Sequence, residues 1–274
     1  MKQHKKIIEK EDVDIVISDS TYSPLYPAKK LNKKVFLVIN QNKMNNENSF
    51  YNIINKIFSK VYDLGIESFT DKVLIPDFCP PHSICEKHLK ITEKTTFVGP
   101  LIRYDPNKYK YTKDIVFCTF GGEPFKLPLY YKLKEIADQN KDLHFVVACG
   151  LEEVKELNCE NFEVYNYIKD VDKYLCRAKA TILHGGLTSI HETLCFGKSP
   201  LILYDEKHPE QKNNALKIEE MNAGKIANPK KNSLDEIKDK LYETFKIDNS
   251  KFKNMYLKDQ NGKKNILKIV EELI

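Results

Sequence analysis

The chain has no tryptophan and no apolar run of membrane-spanning length in its 274 residues, and a secretory leader is not expected. A helix needs about 20 consecutive apolar residues to cross a bilayer, so a helical span is not expected. The N-terminus, MKQHKKIIEKEDVD, lacks the apolar segment of a signal peptide. The seven cysteines, an odd number, are therefore expected to be reduced in a cytoplasmic protein. A dense basic patch is also missing, beyond the start Lys2–Lys10 and the stretch Lys108–Lys113. That argues against a nucleic-acid partner. The net charge of +5, from 44 basic and 39 acidic residues, suits an anionic small ligand or an anionic membrane surface. The tryptophan deficit accompanies 15 tyrosines and many Lys, Asn and Ile, a compositional bias that says little about function.

Hydrophobic residues at 41% and charged residues at 30% give a globular balance. Short β-branched runs alternate with longer amphipathic segments. Strands are expected at Asp14–Ser18, Lys34–Ile39, Lys72–Ile75 and Thr95–Val98, with helices at the charged N-terminus and at Ser49–Lys60. Arg103–Lys113 is polar, contains Pro106 and is expected to be a linker. A second series follows. Its strands are Asp114–Phe120, Leu143–Ala148, Asn161–Val164, Ala180–Leu183 and Pro200–Leu203. Its helices are Leu127–Gln139, Val171–Cys176, Ser189–Phe196, Gln211–Met221, Ser233–Phe245 and Lys264–Ile274. Such alternation predicts an α/β fold with parallel sheets covered on both faces. The expected domains are 1–105 and 106–274, with the last helix leaning back onto the first domain through Ile266, Ile269, Val270 and Ile274.

Ligands in such sheets sit at the carboxyl ends of the strands. That edge should carry Gly121-Gly122, Tyr167 and His184-Gly185-Gly186. The richest stretch is HGGLTSIHETLCFGKSPLILYDEKHPEQKNNA, residues 184–215. It predicts a strand end, a glycine turn and a helix. The glycine pair lets the backbone approach a ligand. Thr188 or Ser189 can cap the helix, whose free N–H groups make an anion site suited to a diphosphate. Glu192, one turn further on, can accept two hydrogen bonds from a ribose diol. His184 can donate to a phosphate oxygen, and Glu210, Gln211 and Asn214 suit sugar hydroxyls. Singly, each feature has a plain structural explanation: a tight turn, a first-turn charge, a solvated helix residue. Their order and spacing together point to a site.

This segment resembles the donor-binding signature of GT-B glycosyltransferases. It is most similar to the UDP-sugar transferases that include the plant UDP-glucosyltransferases and the peptidoglycan N-acetylglucosaminyltransferase. The matching residues are His184, Gly186, Thr188, Ser189, Glu192, Gly197, Pro200, Glu210-Gln211 and Asn214-Ala215, with one extra residue between Gly197 and Pro200. The resemblance implies two Rossmann-like domains. It implies His184 and the 186–189 backbone, Gly185 included, on the diphosphate, Glu192 on ribose and Glu210-Gln211 on the transferred sugar. Tyr165–Asp170, with Tyr167 and Ile168, resembles the segment whose backbone meets uracil. Phe120–Glu123 is similar to the loop beside the phosphates, and Asn40-Gln41-Asn42 to an acceptor-side loop. Asp19 looks like the aspartate that orients a catalytic histidine, with that histidine absent from this sequence. His184 and Asp19 are thus the catalytic candidates.

The implied activity is transfer of a sugar from a UDP-sugar to a lipid or glycan acceptor, with inversion and with neither metal nor cofactor. A UDP-amino-sugar 2-epimerase and a UDP-sugar-binding subunit are the rival readings. The chain opens at an apparently mid-domain strand. The first domain is therefore expected to be incomplete, its remainder supplied by an upstream extension or a partner chain, unless the chain is an inactive remnant. A base could otherwise come from Asp19, Asp77 or His82. Cys79, His82, Cys85 and His88 recur every third residue, but Pro80-Pro81 breaks the geometry a zinc site wants, and loop residues are the better reading. Cys118, Cys149, Cys176 and Cys195 are expected in the core, and His191 on the surface. The Lys126–Lys134 run leaves open a peripheral contact with the inner membrane face; snorkelling lysines on an ordinary amphipathic helix are preferred.

Overall fold

A computed structural model describes residues 2–41 and 64–272. The chain divides into two compact units, residues 102–258 and residues 1–101 together with 259–274.

The larger unit has six strands: β5 (Ile115–Thr119), β6 (Phe145–Ala148), β7 (Phe162–Tyr165), β8 (Ala178–Leu183), β9 (Pro200–Leu203) and β10 (Lys225–Ala227). They pair in the order β10-β9-β8-β5-β6-β7, and every pairing is parallel. In chain order this is a doubly wound arrangement, in which the direction of winding reverses between β5 and β8. The register pairs Thr119 with Leu183. The loops that begin at Phe120 and His184 therefore leave the sheet side by side. The helices are α3 (Leu127–Gln139), α4 (Glu152–Lys155), α5 (Val171–Arg177), α6 (Leu187–Cys195), α7 (Pro209–Glu220), α8 (Leu234–Thr244) and α9 (Ser250–Lys258). Val116, Cys118, Phe145, Val147, Tyr130 and Leu133 lie in one core between strands and α3.

Three buried polar groups tie this unit together. Lys198 follows α6 and sends its ammonium to the carbonyls of Thr112, Cys176 and Ala178 at 3.1, 2.9 and 2.7 Å. Asn249 donates to the Lys198 and Ala223 carbonyls at 3.1 and 2.6 Å. Tyr130 accepts from the Phe120 amide at 3.1 Å and donates to the Gly121 carbonyl at 2.9 Å, which fixes the first loop. Cys118, Cys149, Cys176 and Cys195 are all buried.

The smaller unit has β1 (Ile15–Asp19), β2 (Lys34–Val38), β3 (Lys72–Ile75) and β4 (Thr95–Phe97), in the monotonic order β1-β2-β3-β4 and all parallel. Helices α1 (Lys2–Lys10) and α2 (Leu25–Lys30) precede and follow β1, and residues 64–69 are helical. The expected helix Ser49–Lys60 lies outside the described residues. The last helix, α10 (Gly262–Glu271), sets Ile266, Ile269 and Val270 against Phe36, Val38, Leu74 and Val98; Ile274 lies outside the described residues. Asn265 anchors α10 by donating to the Val98 carbonyl at 2.7 Å.

The observed elements differ from the sequence expectation at several places. Helices α2, α4 and α9, the helical residues 64–69 and strand β10 were not expected: α2, α4 and β10 are short, and SKFKNMYLK in α9 has too many lysines for a clear stripe. His191 is 3% exposed, not a surface residue. It sits on the buried side of α6 with Ile190 and Leu194.

Candidate functional site

The site is built where β8 gives way to α6. His184 ends the strand, and Gly185 turns the chain at φ +91°, a region that favours glycine. A Cβ on Gly185 would lie 2.9 Å from the Gln211 carbonyl oxygen, so the start of α7 rests directly on this turn. Asn214, fully buried, donates to the Gly185 carbonyl at 3.1 Å and locks the same contact. On Gly186 a Cβ would meet the His184 Nε2 at 3.0 Å, so the imidazole lies over the glycine.

Helix α6 has Gly186 as its N-cap, and no side chain caps it. This corrects the expectation that Thr188 or Ser189 plays that part: both lie inside the first turn, Thr188 exposed and Ser189 half-buried. The amide of Ile190 is already bonded to the Gly186 carbonyl. The first-turn amides before it point out of the helix end beside His184. An uncapped N-terminus of this kind offers N–H donors and a partial positive charge to an anion.

His184 is half-buried, and its Nδ1 has no hydrogen-bond partner among the described residues. Burial, helped by the Lys126 ammonium, lowers its pKa from 6.5 to about 4 against the opposing pull of Glu123. The imidazole is therefore neutral near pH 7 and can act as a hydrogen-bond donor, not as a fixed cation. Glu192, one turn into α6, is half-buried as well. Burial raises its carboxyl from 4.5 to about 7, with Asp172 adding to the rise and Arg103 opposing it. A partly desolvated carboxylate facing a cation is suited to accept two hydrogen bonds from vicinal hydroxyls.

The β5 loop closes the other side. Gly121 has φ +85°. Lys126 is buried, donates to the Phe120 carbonyl and pairs with Glu123 at 2.8 Å. The remaining lysines of the 126–134 run also have partners: Lys132 bonds the Pro229 carbonyl and Lys134 pairs with Asp138 at 2.5 Å. After β7, Tyr167 is 73% exposed while Ile168 is buried, so the segment presents a ring and backbone to solvent. Glu210 and Gln211 are half-buried in the first turn of α7. The structure thus brings His184, Gly185, Gly186, Gln211 and Asn214 together, with Gly121 and Lys126 close to His184.

Arg103 was missed. The sequence expectation treats 103–113 as a plain linker, yet the Arg103 guanidinium sits beside Tyr104 and Tyr167 and acts on the Glu192 carboxyl. One signal was available. Arginine occurs only at 103 and 177 in a chain otherwise served by lysine. Arg177 is spent on a two-pronged pair with Asp114, at 2.9 and 2.6 Å.

In the smaller unit, Asp19 ends β1 opposite Val38, exposed, and accepts from Ser20 at 3.2 Å. Asn40 is half-buried and Gln41 exposed just past β2, and Asn42 lies outside the described residues. Asp77 is ruled out as a free base. Its buried carboxylate accepts from Phe78 N, Ser83 Oγ, Ile84 N and Cys85 N at 2.6–2.9 Å. Among the described residues no three His, Cys, Asp or Glu side chains gather as a metal set, and Cys79, His82, Cys85 and His88 are spread along the Asp77-centred loop.

A family model described as the glycosyltransferase family 28 C-terminal domain matches residues 123–270. An uncharacterized glycosyltransferase of Methanosarcina acetivorans is 32% identical over 81% of this chain and 62% of its own length. A UDP-N-acetylglucosamine–N-acetylmuramyl-(pentapeptide) pyrophosphoryl-undecaprenol N-acetylglucosamine transferase of Sulfurihydrogenibium is 29% identical over 72% of this chain and 52% of its own. The chain thus spans less than two thirds of the length of either relative. Among solved structures, the glycotransferase of kitacinnamycin superposes with a TM-score of 0.72, covering 97% of this chain and 78% of that one at 15% identity. That likeness establishes a GT-B fold.

Proposed function

The chain belongs to the family of the glycosyltransferase family 28 C-terminal domain, and on that premise we propose that it is the nucleotide-sugar-binding part of an inverting glycosyltransferase that uses a UDP-sugar. The observation that carries this reading is the pairing, on one helix, of an uncapped N-terminus with a half-buried carboxylate one turn later. The helix end takes the diphosphate, with His184 donating to an oxygen. Glu192 takes the ribose diol. Tyr167, Ile168 and Arg103 bound the uracil, and Glu210 and Gln211 meet the transferred sugar. The N-acetylglucosamine transferase named among its relatives uses the same class of donor.

In the reaction, the acceptor hydroxyl attacks the anomeric carbon as its bond to the diphosphate oxygen breaks. The charge that grows on the leaving UDP falls on amides already aimed at it, which stabilise it without reorganisation. The acceptor proton goes to a base; Asp19 is the exposed carboxylate at the carboxyl edge of the smaller sheet and is assigned that part. A partner chain or additional segment that supplies acceptor contacts belongs to the same reading. The test is product analysis with labelled UDP-sugars and lipid extracts, for the chain alone and with candidate partners. Glycoside of inverted configuration supports the reading. Release of an epimerised UDP-sugar contradicts it.

A further inference from the structure

Lys126 places a buried ammonium beside His184. Its side chain is 6% exposed, and a charge so placed is costly unless partners compensate it. Among the described residues its polar partners are the Phe120 carbonyl and the Glu123 carboxylate. The two differ in kind. The Phe120 carbonyl belongs to backbone that Tyr130 holds at Phe120 and Gly121. The Glu123 side chain is 55% exposed and can turn out to solvent without moving the backbone.

The pairing follows from the local fold. Pro124–Lys126 form a single 3-10 turn, in which the Lys126 amide donates to the Glu123 carbonyl at 2.9 Å. Side chains three residues apart eclipse in such a turn, so carboxylate and ammonium meet on one side. Both lie over Gly121: a Cβ there would come within 2.8 Å of Glu123 Oε2 and 3.4 Å of Lys126 Nζ. The loop leaves the sheet next to His184, because Thr119 pairs with Leu183.

The charges of this loop reach His184. Lys126 opposes protonation of the imidazole and Glu123 favours it. The Lys126 ammonium holds the Glu123 carboxyl below its usual range, and His184 adds to the fall. A carboxylate thus stands in the field of a buried ammonium and of the histidine that opens the uncapped end of α6. Those are the surroundings of an anion site, and Glu123 is an anion supplied by the chain itself.

Building on the proposed donor site, we infer that Glu123 is an intramolecular stand-in for the diphosphate: it holds the Lys126 ammonium in the free chain, and a diphosphate oxygen replaces it when the donor binds. Lys126 is then a diphosphate-binding residue beside His184 and the α6 amides, and Glu123 is a built-in competitor. The exchange keeps the buried ammonium paired before binding and after the nucleotide leaves. The returning carboxylate also favours release of UDP.

The test is calorimetry with UDP, and NMR titration with uridine, on the parent, Glu123→Gln, Lys126→Gln and the double variant. Glu123→Gln should tighten UDP about tenfold and Lys126→Gln should weaken it about tenfold, the span of one charge-assisted hydrogen bond. Uridine, which lacks the diphosphate, should bind all of them alike. Loss of a negative charge acting at a distance would favour UDP whether or not the ammonium is present. The exchange predicts instead that the gain from Glu123→Gln disappears in the double variant. Glu123→Gln binding UDP no more tightly than the parent, or keeping its full gain without Lys126, would overturn the inference with the donor site intact. So would unchanged UDP affinity in a folded Lys126→Gln. Should Lys126→Gln not fold, Glu123→Asp decides, since it keeps the charge and shortens the reach: tighter UDP binding supports the exchange, and parent-like affinity overturns it. Failure of UDP to bind the parent would sink the donor-site reading and this inference with it.

Discussion

Gly185 and Gln211, 26 residues apart in sequence, touch so closely that one added carbon on Gly185 would reach 2.9 Å from the Gln211 carbonyl oxygen. The turn that opens α6 and the first turn of α7 are therefore a single rigid object. Gly185→Ala meets both that backbone and a φ of +91°. We expect a stability loss of about 1–3 kcal/mol together with weakened UDP-sugar binding, read by urea denaturation and calorimetry on the same preparation. A variant as stable as the parent would show that the contact has slack.

Glu192 sets a conflict between folding and binding. Its carboxyl is near 7 in the folded chain against an ordinary 4.5. The associated stability is fully present below pH 4.5 and is lost as pH rises through 7, on the order of 3 kcal/mol. Glu192→Gln should therefore be more stable than the parent at pH 8 while binding UDP less well. Thermal denaturation at pH 8 checks the first half, and no rise in Tm would contradict the burial argument.

His184 has the opposite sign. Its pKa falls from 6.5 to about 4, so its contribution is present above pH 6.5 and is lost as pH falls towards 4, again on the order of 3 kcal/mol. Between pH 4.5 and 6.5 the two residues nearly cancel. In Glu192→Gln the His184 limb should emerge as stability that rises with pH across that window. Direct titration of the imidazole by NMR should show no midpoint between pH 5.5 and 8.

Much of this was legible before the structure. In the larger unit, β5, β6, β8 and β9 and helix α3 follow from alternation of β-branched runs with helical periods, and the edge that carries 121, 167 and 184 follows from parallel topology. What escaped depends on long-range contacts. The three residues of β10 are too few to show a period, and they become a strand only by pairing with β9. His191 shares its helix face with apolar neighbours, a fact visible only once α6 is docked. The helix start shifted from Ser189 to Leu187 because Gly186 itself takes the extended cap geometry. Arg103 comes to lie beside Tyr167 only because the loop after β7 returns to it.

Lys198 provides a control away from the ligand. Its ammonium satisfies three carbonyls, and burial lowers it to a pKa of about 8. Lys198→Met leaves those carbonyls unpaired and should cost roughly 2–4 kcal/mol of stability. UDP affinity of the folded fraction should be unchanged. A large loss of affinity without loss of stability would place Lys198 in the site instead.

Titration calorimetry of UDP into the parent chain and into Glu192→Ala, at pH 8 where the carboxylate is ionised, tests the donor-site assignment most directly. Loss of charged hydrogen bonds to ribose predicts a weakening of about 1.5–3 kcal/mol, roughly tenfold to over a hundredfold in Kd, with the fold retained. Equal affinity in the two proteins would contradict the assignment of ribose to Glu192 and with it the placement of the nucleotide on α6.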